Sequence, residues 1–227
     1  MKKRTFYTEA AYVLGLILLA IGTTFMTKSD FGVSTVVAPA YVLHLKVSTY
    51  LPFYTFGTSG YTLQAVLLCV LLCILRTFKW SYLFSFFTSV LYGFLLDATI
   101  ALLSFIPAST VPARLICYTV GLVISAAGVA LLFLTYISPE VYDLFVREVS
   151  AKFSFPLPRV KMIYDCTSCV VAVTLSFLCF GLGQFKGIQW GTVVCSLTNG
   201  WLIGQFTRFY NRFWQFGDGL PLRKYFS

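Results

Sequence analysis

The residues from Phe185 to Phe206 read FKGIQWGTVVCSLTNGWLIGQF, and a weaker copy, FKWSYLFSFFTSVLYGFLLD, runs from Phe78 to Asp97. The Phe-Lys pair, a Ser and a Gly recur between them at a constant offset of 107 residues. A second pair of segments, GLILLAIG from Gly15 to Gly22 and GLVISAAG from Gly121 to Gly128, recurs at an offset of 106 residues. Because unrelated apolar runs rarely share nearly the same shift twice, the sequence predicts a tandem duplication.

The composition places this duplication in a membrane. Hydrophobic residues make up 58% of the 227 residues, charged residues only 11%, and the mean hydropathy is +0.82, which is too apolar for a soluble domain. The net charge of +9 does not indicate a nucleic-acid partner, because the basic residues lie at the edges of apolar runs, where they act as topology signals. The seven Cys lie within apolar runs, which argues against a disulfide framework.

Six apolar runs are long enough to cross a hydrocarbon core of about 30 Å. They occupy approximately residues 10–28, 58–76, 80–106, 113–136, 160–184 and 188–209. The first run lacks a convincing signal-peptide cleavage site and belongs to the repeat, so we interpret it as an uncleaved span. Two segments of sixteen residues, 31–46 and 138–153, follow the first and the fourth run. As helices they would reach only about 24 Å.

The distribution of Lys and Arg decides whether the two short segments cross the membrane. If neither crosses and the N-terminus is cytoplasmic, 13 basic residues lie inside and 4 outside, as the positive-inside bias predicts. The inside set is Lys2, Lys3, Arg4, Arg76, Lys79, Arg147, Lys152, Arg159, Lys161, Arg208, Arg212, Arg223 and Lys224, and the outside set is Lys28, Lys46, Arg114 and Lys186. If both segments crossed, the charges of the second would enter lipid at about 2.5–3.5 kcal/mol for each central charge.

The predicted fold is therefore an all-α membrane protein, a single membrane domain over residues 1–227 with six transmembrane helices and both termini cytoplasmic. Three spans in each copy invert the second copy, which gives two inverted three-helix repeats. Repeat one covers about residues 10–106, repeat two about 113–209, and a cytoplasmic tail 210–227. Each repeat carries an extra short re-entrant or interfacial helix.

The two short segments differ in their charges. The first, from Phe31, is uncharged until its end and is as compatible with a re-entrant helix as with a surface helix. The second has the pattern of an interfacial helix that begins at Ser138 as its cap. Its acids at 143 and 148 are each followed four residues later by a base, which predicts ion pairs on a water-facing side.

Small residues recur at every fourth position of the two matched helices. They are Ser85, Ser89 and Gly93 in the first copy and Thr192, Ser196, Gly200 and Gly204 in the second. Such stripes allow close helix packing, and they would line a path if the two helices faced each other across the repeat axis. With the intramembrane acids, the amides and the starts of the short segments, the substrate-path candidates are Ser34, Thr35, Ser89, Asp97, Ser138, Asp165, Thr192, Ser196, Asn199 and Gln205.

Two acids among these candidates have alternative roles. Asp97 is either hydrated near the outer end of the third span or faces a cavity for ion coupling or proton relay. Asp165 follows Lys161 by one helical turn, which indicates either a salt bridge at the membrane boundary or a gating role. Cys166 and Cys169 lack a second Cys pair at zinc-ligand spacing, and the sequence has no P-loop, HExxH or GxSxG motif. We therefore predict no catalytic residues, no metal, no cofactor and no enzyme activity.

Several short motifs carry a resemblance to a known family. The turn after the first span reads DFGVS from Asp30 to Ser34, a Phe-Gly-Thr segment follows from Phe56 to Thr58, and the last helix is Gly-Thr-rich before NGWLIG at 199–204. In these motifs, over most of its length, the chain resembles the YczE/YyaS/YitT family of bacterial integral membrane proteins. It is most similar to the branch with an Arg-Val-Lys…Tyr-Asp-Cys segment, here from Arg159 to Cys166. The first copy of the Gly-Thr motif departs from the family, since it reads YLFSFF at 82–87.

The resemblance implies a polytopic, multi-pass protein of a bacterial plasma membrane and says little about a substrate. Inverted repeats are common in secondary transporters, whose substrate site lies near the midplane at the repeat interface. We therefore expect a small-solute permease or transporter, with Ser34 and Ser138 near anion-facing helix ends. The alternative is a non-transporting membrane scaffold or accessory subunit for a partner protein. Expected partners are the lipid bilayer and an unknown small solute, with no nucleic acid, and a homo-oligomer or membrane partner is left open.

Overall fold

Helices account for most of the chain in the computed structural model, which describes residues 4–105, 110–185 and 187–219. In chain order, the elements of those ranges are β1 Arg4–Tyr7, α1 Thr8–Ser29, α2 Ala38–Val47, α3 Phe56–Leu75, α4 Trp80–Leu102, α5 Val111–Phe133, α6 Val141–Phe153, α7 Leu157–Phe180, α8 Trp190–Phe213 and β2 Trp214–Gly217. The predicted all-α class is confirmed. The topology signals predicted at Lys2, Lys3, Lys186, Arg223 and Lys224 lie outside the described residues.

Five helices of the described chain are long and apolar enough to cross a membrane, namely α1, α3, α4, α5 and residues 159–180 of α7. Helix α8 has 24 residues, but it is not among these five. The amides Asn199 and Gln205 and the bases Arg208 and Arg212 make it less apolar than the others. The structure thus shows a helical, membrane-type protein, and α8 is the predicted span that hydropathy does not identify.

The centre of the fold is an antiparallel contact between α1 and α5, the two helices that carry the matched glycine motifs. Gly22 lies against Gly121, and Gly15 lies against Gly128. A Cβ atom at Gly22 would be 2.5 Å from the backbone N of Ser125 and 2.7 Å from the carbonyl O of Gly121. The two backbones approach this closely because neither carries a side chain at the contact.

The remaining helices pack around this pair in corresponding ways. Helix α4 packs against α1 and α3, and α8 packs against α5 and α7. Helix α2 packs against α3 and α7, and α6 packs against α7 and α3 and also against α4. The small-residue faces of α4 and α8 do not meet as predicted. Within the described residues these two helices share no extensive contact, because the α1–α5 pair separates them.

Helices α2 and α6 are half-helices that begin in the interior and end at opposite faces. The N-terminal residues of both line the same internal cavity. Near the outer end of α2, His44 Nδ1 lies 2.8 Å from the carbonyl O of Tyr54, just before α3 begins. Near the end of α6, Lys152 Nζ donates to the carbonyl O of Ile74, 2.6 Å away, at the other end of α3. Because the 20 residues of α3 span about 30 Å, the two half-helices reach opposite faces of the protein.

The interfacial position predicted for the second short segment is therefore wrong, since the first half of α6 is buried. The helix begins at Val141 with Glu140 as its N-cap, so Ser138 is not the capping residue. Instead, Ser138 Oγ lies 2.6 Å from Ser81 Oγ of α4. The short segment enters the protein before its helix begins.

The ion pairs predicted within α6 are also wrong. Asp143 pairs with Lys161 of α7 at 3.0 Å, and Glu148 pairs with Lys79, just before α4, at 2.9 Å. Both acids face neighbouring elements rather than water, so their nearest cations belong to other parts of the chain. Spacing along one helix could not reveal these partners.

The two ends of the described chain meet at one face. Strands β1 and β2 pair in parallel with Phe6 opposite Phe216, and Thr8 Oγ1 donates to Asp218 Oδ1 at 3.4 Å. The tail predicted from residue 210 begins within α8, which continues to Phe213. The start of α1 and the end of α8 therefore lie on the same side of the bundle.

Candidate functional site

An internal cavity of about 40 Å³ lies where the N-terminal ends of α2 and α6 meet α1, α4, α5, α7 and α8. Such a volume holds roughly two or three water molecules. Its polar lining consists of Thr23, Ser34, Tyr92, Ser125, Glu140, Tyr142, Asp143, Lys161 and Asn199. Both halves of the chain therefore contribute polar groups to one small space.

Glu140 is held at this cavity by Gln64 of α3. Gln64 Nε2 donates to Glu140 Oε2 at 3.0 Å. Gln64 Oε1 accepts from the backbone N–H of Val141 at 3.0 Å and from the hydroxyl of Ser89. The first N–H groups of a helix have no acceptor within the helix, so this amide supplies one and fixes the start of α6 against α3 and α4.

Lys161 of α7 joins two carboxylates beside the cavity. Its Nζ lies 3.0 Å from Asp143 Oδ1 and 3.7 Å from Asp165 Oδ1, and all three side chains are about nine-tenths buried or more. Removing the ammonium would leave two buried carboxylates without a cation and would destabilise the fold. The predicted contact between Lys161 and Asp165 is present, and it is buried inside the protein.

Three oxygens of the cavity-lining side chains have no hydrogen-bond partner among the described residues. They are Glu140 Oε1, Tyr142 OH and Asn199 Oδ1, on residues that are 4%, 3% and 6% exposed. Burial, with a smaller contribution from Asp143, raises the pKa of Glu140 to about 8 because its charge is poorly compensated there. Each unsatisfied buried polar group costs about 1–3 kcal/mol. The lining of the cavity is therefore suited to bind a polar ligand.

Hydroxyl groups connect the surrounding helices. Thr23 Oγ1 of α1 lies 2.9 Å from Tyr92 OH of α4, and Tyr12 OH of α1 lies 2.8 Å from Thr88 Oγ1 of α4. Thr88 Oγ1 also donates to the carbonyl O of Ser138 at 3.1 Å. These bonds fix α1, α4 and the entry to α6 relative to one another.

The structure brings five of the predicted site residues to the cavity or its supporting network: Ser34, Ser89, Ser138, Asp165 and Asn199. Ser34 and Asn199 line the cavity directly. Ser89 supports Gln64, Asp165 contacts Lys161, and Ser138 lies two residues before Glu140.

Four other predicted site residues do not line this cavity. Thr35 and Thr192 are buried, and their Oγ1 atoms have no hydrogen-bond partner within the described chain. Ser196 Oγ donates to the backbone of its own helix at 2.7 Å. Gln205 is exposed on α8, so its amide does not point into the protein.

Asp97 lies away from the cavity and caps α3. Its Oδ1 accepts from the backbone N–H of Gly57 at 2.9 Å, and its Oδ2 accepts from Thr55 Oγ1 at 2.6 Å. A carboxylate is favoured at a helix N-terminus. A Cβ atom at Gly57 would be 2.6 Å from Asp97 Oδ2, which explains the glycine of the Phe-Gly-Thr segment.

Sequence reasoning alone misses Gln64, Glu140 and Tyr142 as site residues. A signal for Gln64 exists, because an amide interrupts the apolar run of α3 and intramembrane polar groups are functional candidates by default. For Glu140 and Tyr142 the sequence offers no comparable signal. Charges along a short helix indicate a water-facing side unless the partners on other helices are known.

Comparison with known proteins identifies the family. Residues 6–208 match the DUF6198 family, which is described as a family of unknown function. This range includes every residue that lines the cavity. Searches of the curated proteins and of the solved structures each returned no match.

Proposed function

Because the chain belongs to the DUF6198 family of unknown function, we propose its function from its own site: a small-solute permease of a bacterial plasma membrane, with cytoplasmic termini and its path at the cavity. The observation that carries this proposal is the set of unpartnered oxygens on Glu140, Tyr142 and Asn199, where two half-helices meet. The resemblance to the YczE/YyaS/YitT proteins is part of the same proposal.

The helix packing supports an inverted duplication. Exchanging α1, α2, α3 and α4 for α5, α6, α7 and α8 reproduces the extensive helix contacts of the described chain, apart from the contact between α4 and α6. The same exchange turns the contact of Gly15 with Gly128 into that of Gly121 with Gly22. This pattern is the one expected when a two-fold axis in the membrane plane passes between α1 and α5.

The paired termini support a sixth crossing by α8. Strands β1 and β2 place the start of α1 and the end of α8 on one side, so the chain between them crosses an even number of times. Five helices meet the hydropathy criterion, and α8 completes the even number. In this arrangement the buried Asn199 and Thr192 face protein, whereas the exposed Gln205 and the two arginines lie towards one end.

The cavity wall favours a permease over a scaffold on energetic grounds. A scaffold gains nothing from unpaired buried oxygens, each of which costs about 1–3 kcal/mol. Apolar side chains of the same volume would pack this junction at lower free energy. Half-helix ends that meet at the midplane are used in transporters to contact the solute, and movement of α2 or α6 would open the cavity towards one face.

The proposal is tested by flux through the full chain reconstituted in liposomes, with a panel of small cations, anions and neutral solutes. Val129 of α5 is 8% exposed and lines the cavity, whereas Val123 of the same helix is 38% exposed. Val129→Phe puts a ring into the cavity and should lower the flux at least about tenfold. Val123→Phe makes the same change outside the cavity and should leave the flux within about twofold.

Either of two results contradicts the permease. One is that no solute of the panel crosses faster than in protein-free liposomes, which would favour the accessory-subunit alternative. The other is that the two phenylalanine variants lose flux equally while both remain folded, since the cavity would then have no special role.

A further inference from the structure

We infer that the ligand of this cavity is a small monovalent cation, of the size of sodium, potassium or ammonium. The inference rests on the proposed function and names its solute class. It reverses the anion preference that the helix ends alone suggest, and three properties of the site support it: charge, ligand type and volume.

The charged groups around the cavity carry a net charge of about −1 when the carboxylates are ionised. Three carboxylates, of Glu140, Asp143 and Asp165, face a single ammonium, that of Lys161. The N-terminal ends of α2 and α6, which open at Val37 and Glu140, each contribute about half a positive charge. With the carboxylates ionised, the site retains about one negative charge, which one monovalent cation neutralises.

Each of the unpartnered groups can accept, although the hydroxyl of Tyr142 can also donate. Glu140 Oε1, Tyr142 OH and Asn199 Oδ1 are all oxygens that can face a cation or an ammonium donor, on residues more than nine-tenths buried. An anion would instead lie beside the carboxylate of Glu140, the N-cap residue of α6, whose side chain makes no capping hydrogen bond. Repulsion between the two negative charges therefore disfavours an anion at this helix end.

The ligand set and the volume select a monovalent cation. Calcium takes about six to eight oxygen ligands and magnesium keeps several waters in octahedral geometry, and no group of three or more His, Cys, Asp or Glu in the described ranges is placed to hold such an ion. A cavity of about 40 Å³ admits a bare ion with one or two waters and excludes an amino acid or a sugar.

The test is the thermal stability of the purified full chain at constant ionic strength and at pH 9, which lies above the raised pKa of Glu140. Sodium, potassium and ammonium chloride are compared with N-methylglucamine chloride, whose cation is too large for the cavity. At about 100 times the dissociation constant, the preferred small cation should raise the Tm by roughly 5–10 °C. An equal Tm in all four salts overturns the inference.

Two variants with a matched control locate the effect. Glu140→Gln keeps an oxygen for the bond from Gln64 but removes the charge, and it should abolish the cation-specific shift. Asn199→Ala removes one neutral oxygen and should weaken the apparent affinity about tenfold, which preserves a test if Glu140→Gln does not fold. Glu148→Gln changes the same residue type on the same helix, outside the cavity, and should keep the full shift. A shift that persists in both Glu140→Gln and Asn199→Ala overturns the inference.

Failure of this inference differs from failure of the proposed function. If a neutral solute or an anion crosses at a rate that does not depend on sodium, potassium or ammonium, the permease proposal stands and the cation inference is overturned. A cation-specific shift that is lost in Glu140→Gln, without flux of any solute, supports the cation site and overturns the permease.

Discussion

The two half-helices share a geometry but not a chemistry. Helix α2 begins at the cavity after the apolar Val37, and its basic residues His44 and Lys46 lie in its last turn. Helix α6 begins at the same cavity behind Glu140 and buries Asp143 one turn later. The difference shows that the helix packing brings both helix ends to one cavity, whereas only α6 of the two carries acids there.

The two half-helices also differ in the contacts of their interior ends. Near the start of α2, the carbonyl O of Ala40 accepts from Ser59 Oγ at 2.6 Å, a neutral contact within the first half of the chain. The start of α6 is bound by Gln64 of the first half, and its acid Asp143 pairs with Lys161 of the second half. The interior end of α6 therefore depends on partners from both halves of the chain.

Replacing a lysine by methionine in each half tests this difference most strongly. Lys161→Met leaves Asp143 and Asp165 buried without a cation and should cost about 3–5 kcal/mol, which lowers the Tm by about 10 °C or more. Among the described residues, Lys46→Met removes contacts with the rings of Tyr50 and Phe180, at 5.8 and 5.7 Å, and should cost about 1 kcal/mol or less. Thermal unfolding followed by size-exclusion chromatography measures both.

A second substitution separates lost charge from lost packing. Adding Asp143→Asn to Lys161→Met removes one of the stranded acids and should recover part of the Tm. If the double variant is no more stable than Lys161→Met alone, the account of this buried ion cluster is contradicted.

A smaller effect, of opposite sign in the two halves, is expected at matched glycines. A Cβ atom at Gly93 of α4 would be 3.0 Å from the carbonyl O of Gly57 and from Cδ1 of Tyr61, whereas none of the described atoms lies within 4 Å of one at Gly200 of α8. Gly93→Ala should therefore destabilise the protein by about 1 kcal/mol. Gly200→Ala should stabilise it by up to about 1 kcal/mol, because alanine favours the helix. Equal shifts in Tm for both variants would contradict the packing difference.

The positions of most helices can be predicted from the sequence, because membrane spans and repeats produce local sequence patterns. Hydropathy and the glycine motifs of 15–22 and 121–128 predict the long helices, and the short segments appear close to where α2 and α6 are found. The motifs do not show that these two glycine helices are each other's partners. Of the two interpretations of the small-residue stripes, the one in which α4 and α8 face each other is therefore wrong.

The site was harder to predict because its contacts are distant in the chain. Their polarity within apolar runs identifies Asn199 and Asp165 as candidates, whereas the charges of the second short segment suggest a surface helix and give no reason to place Glu140 in the interior. Its partner Gln64 lies 76 residues away, and no pattern within the second short segment encodes that contact. Buried polar partners of this kind require the packed structure.

The most direct test of the account is whether the two half-helices open to opposite sides of the membrane. In a background without the seven native Cys, single cysteines are placed at the exposed Thr49, just after α2, and at the exposed Ala151, near the end of α6. An impermeant maleimide added to intact cells should label Thr49→Cys and should reach Ala151→Cys only after permeabilisation. Labelling of both positions from the same side would contradict the inverted arrangement.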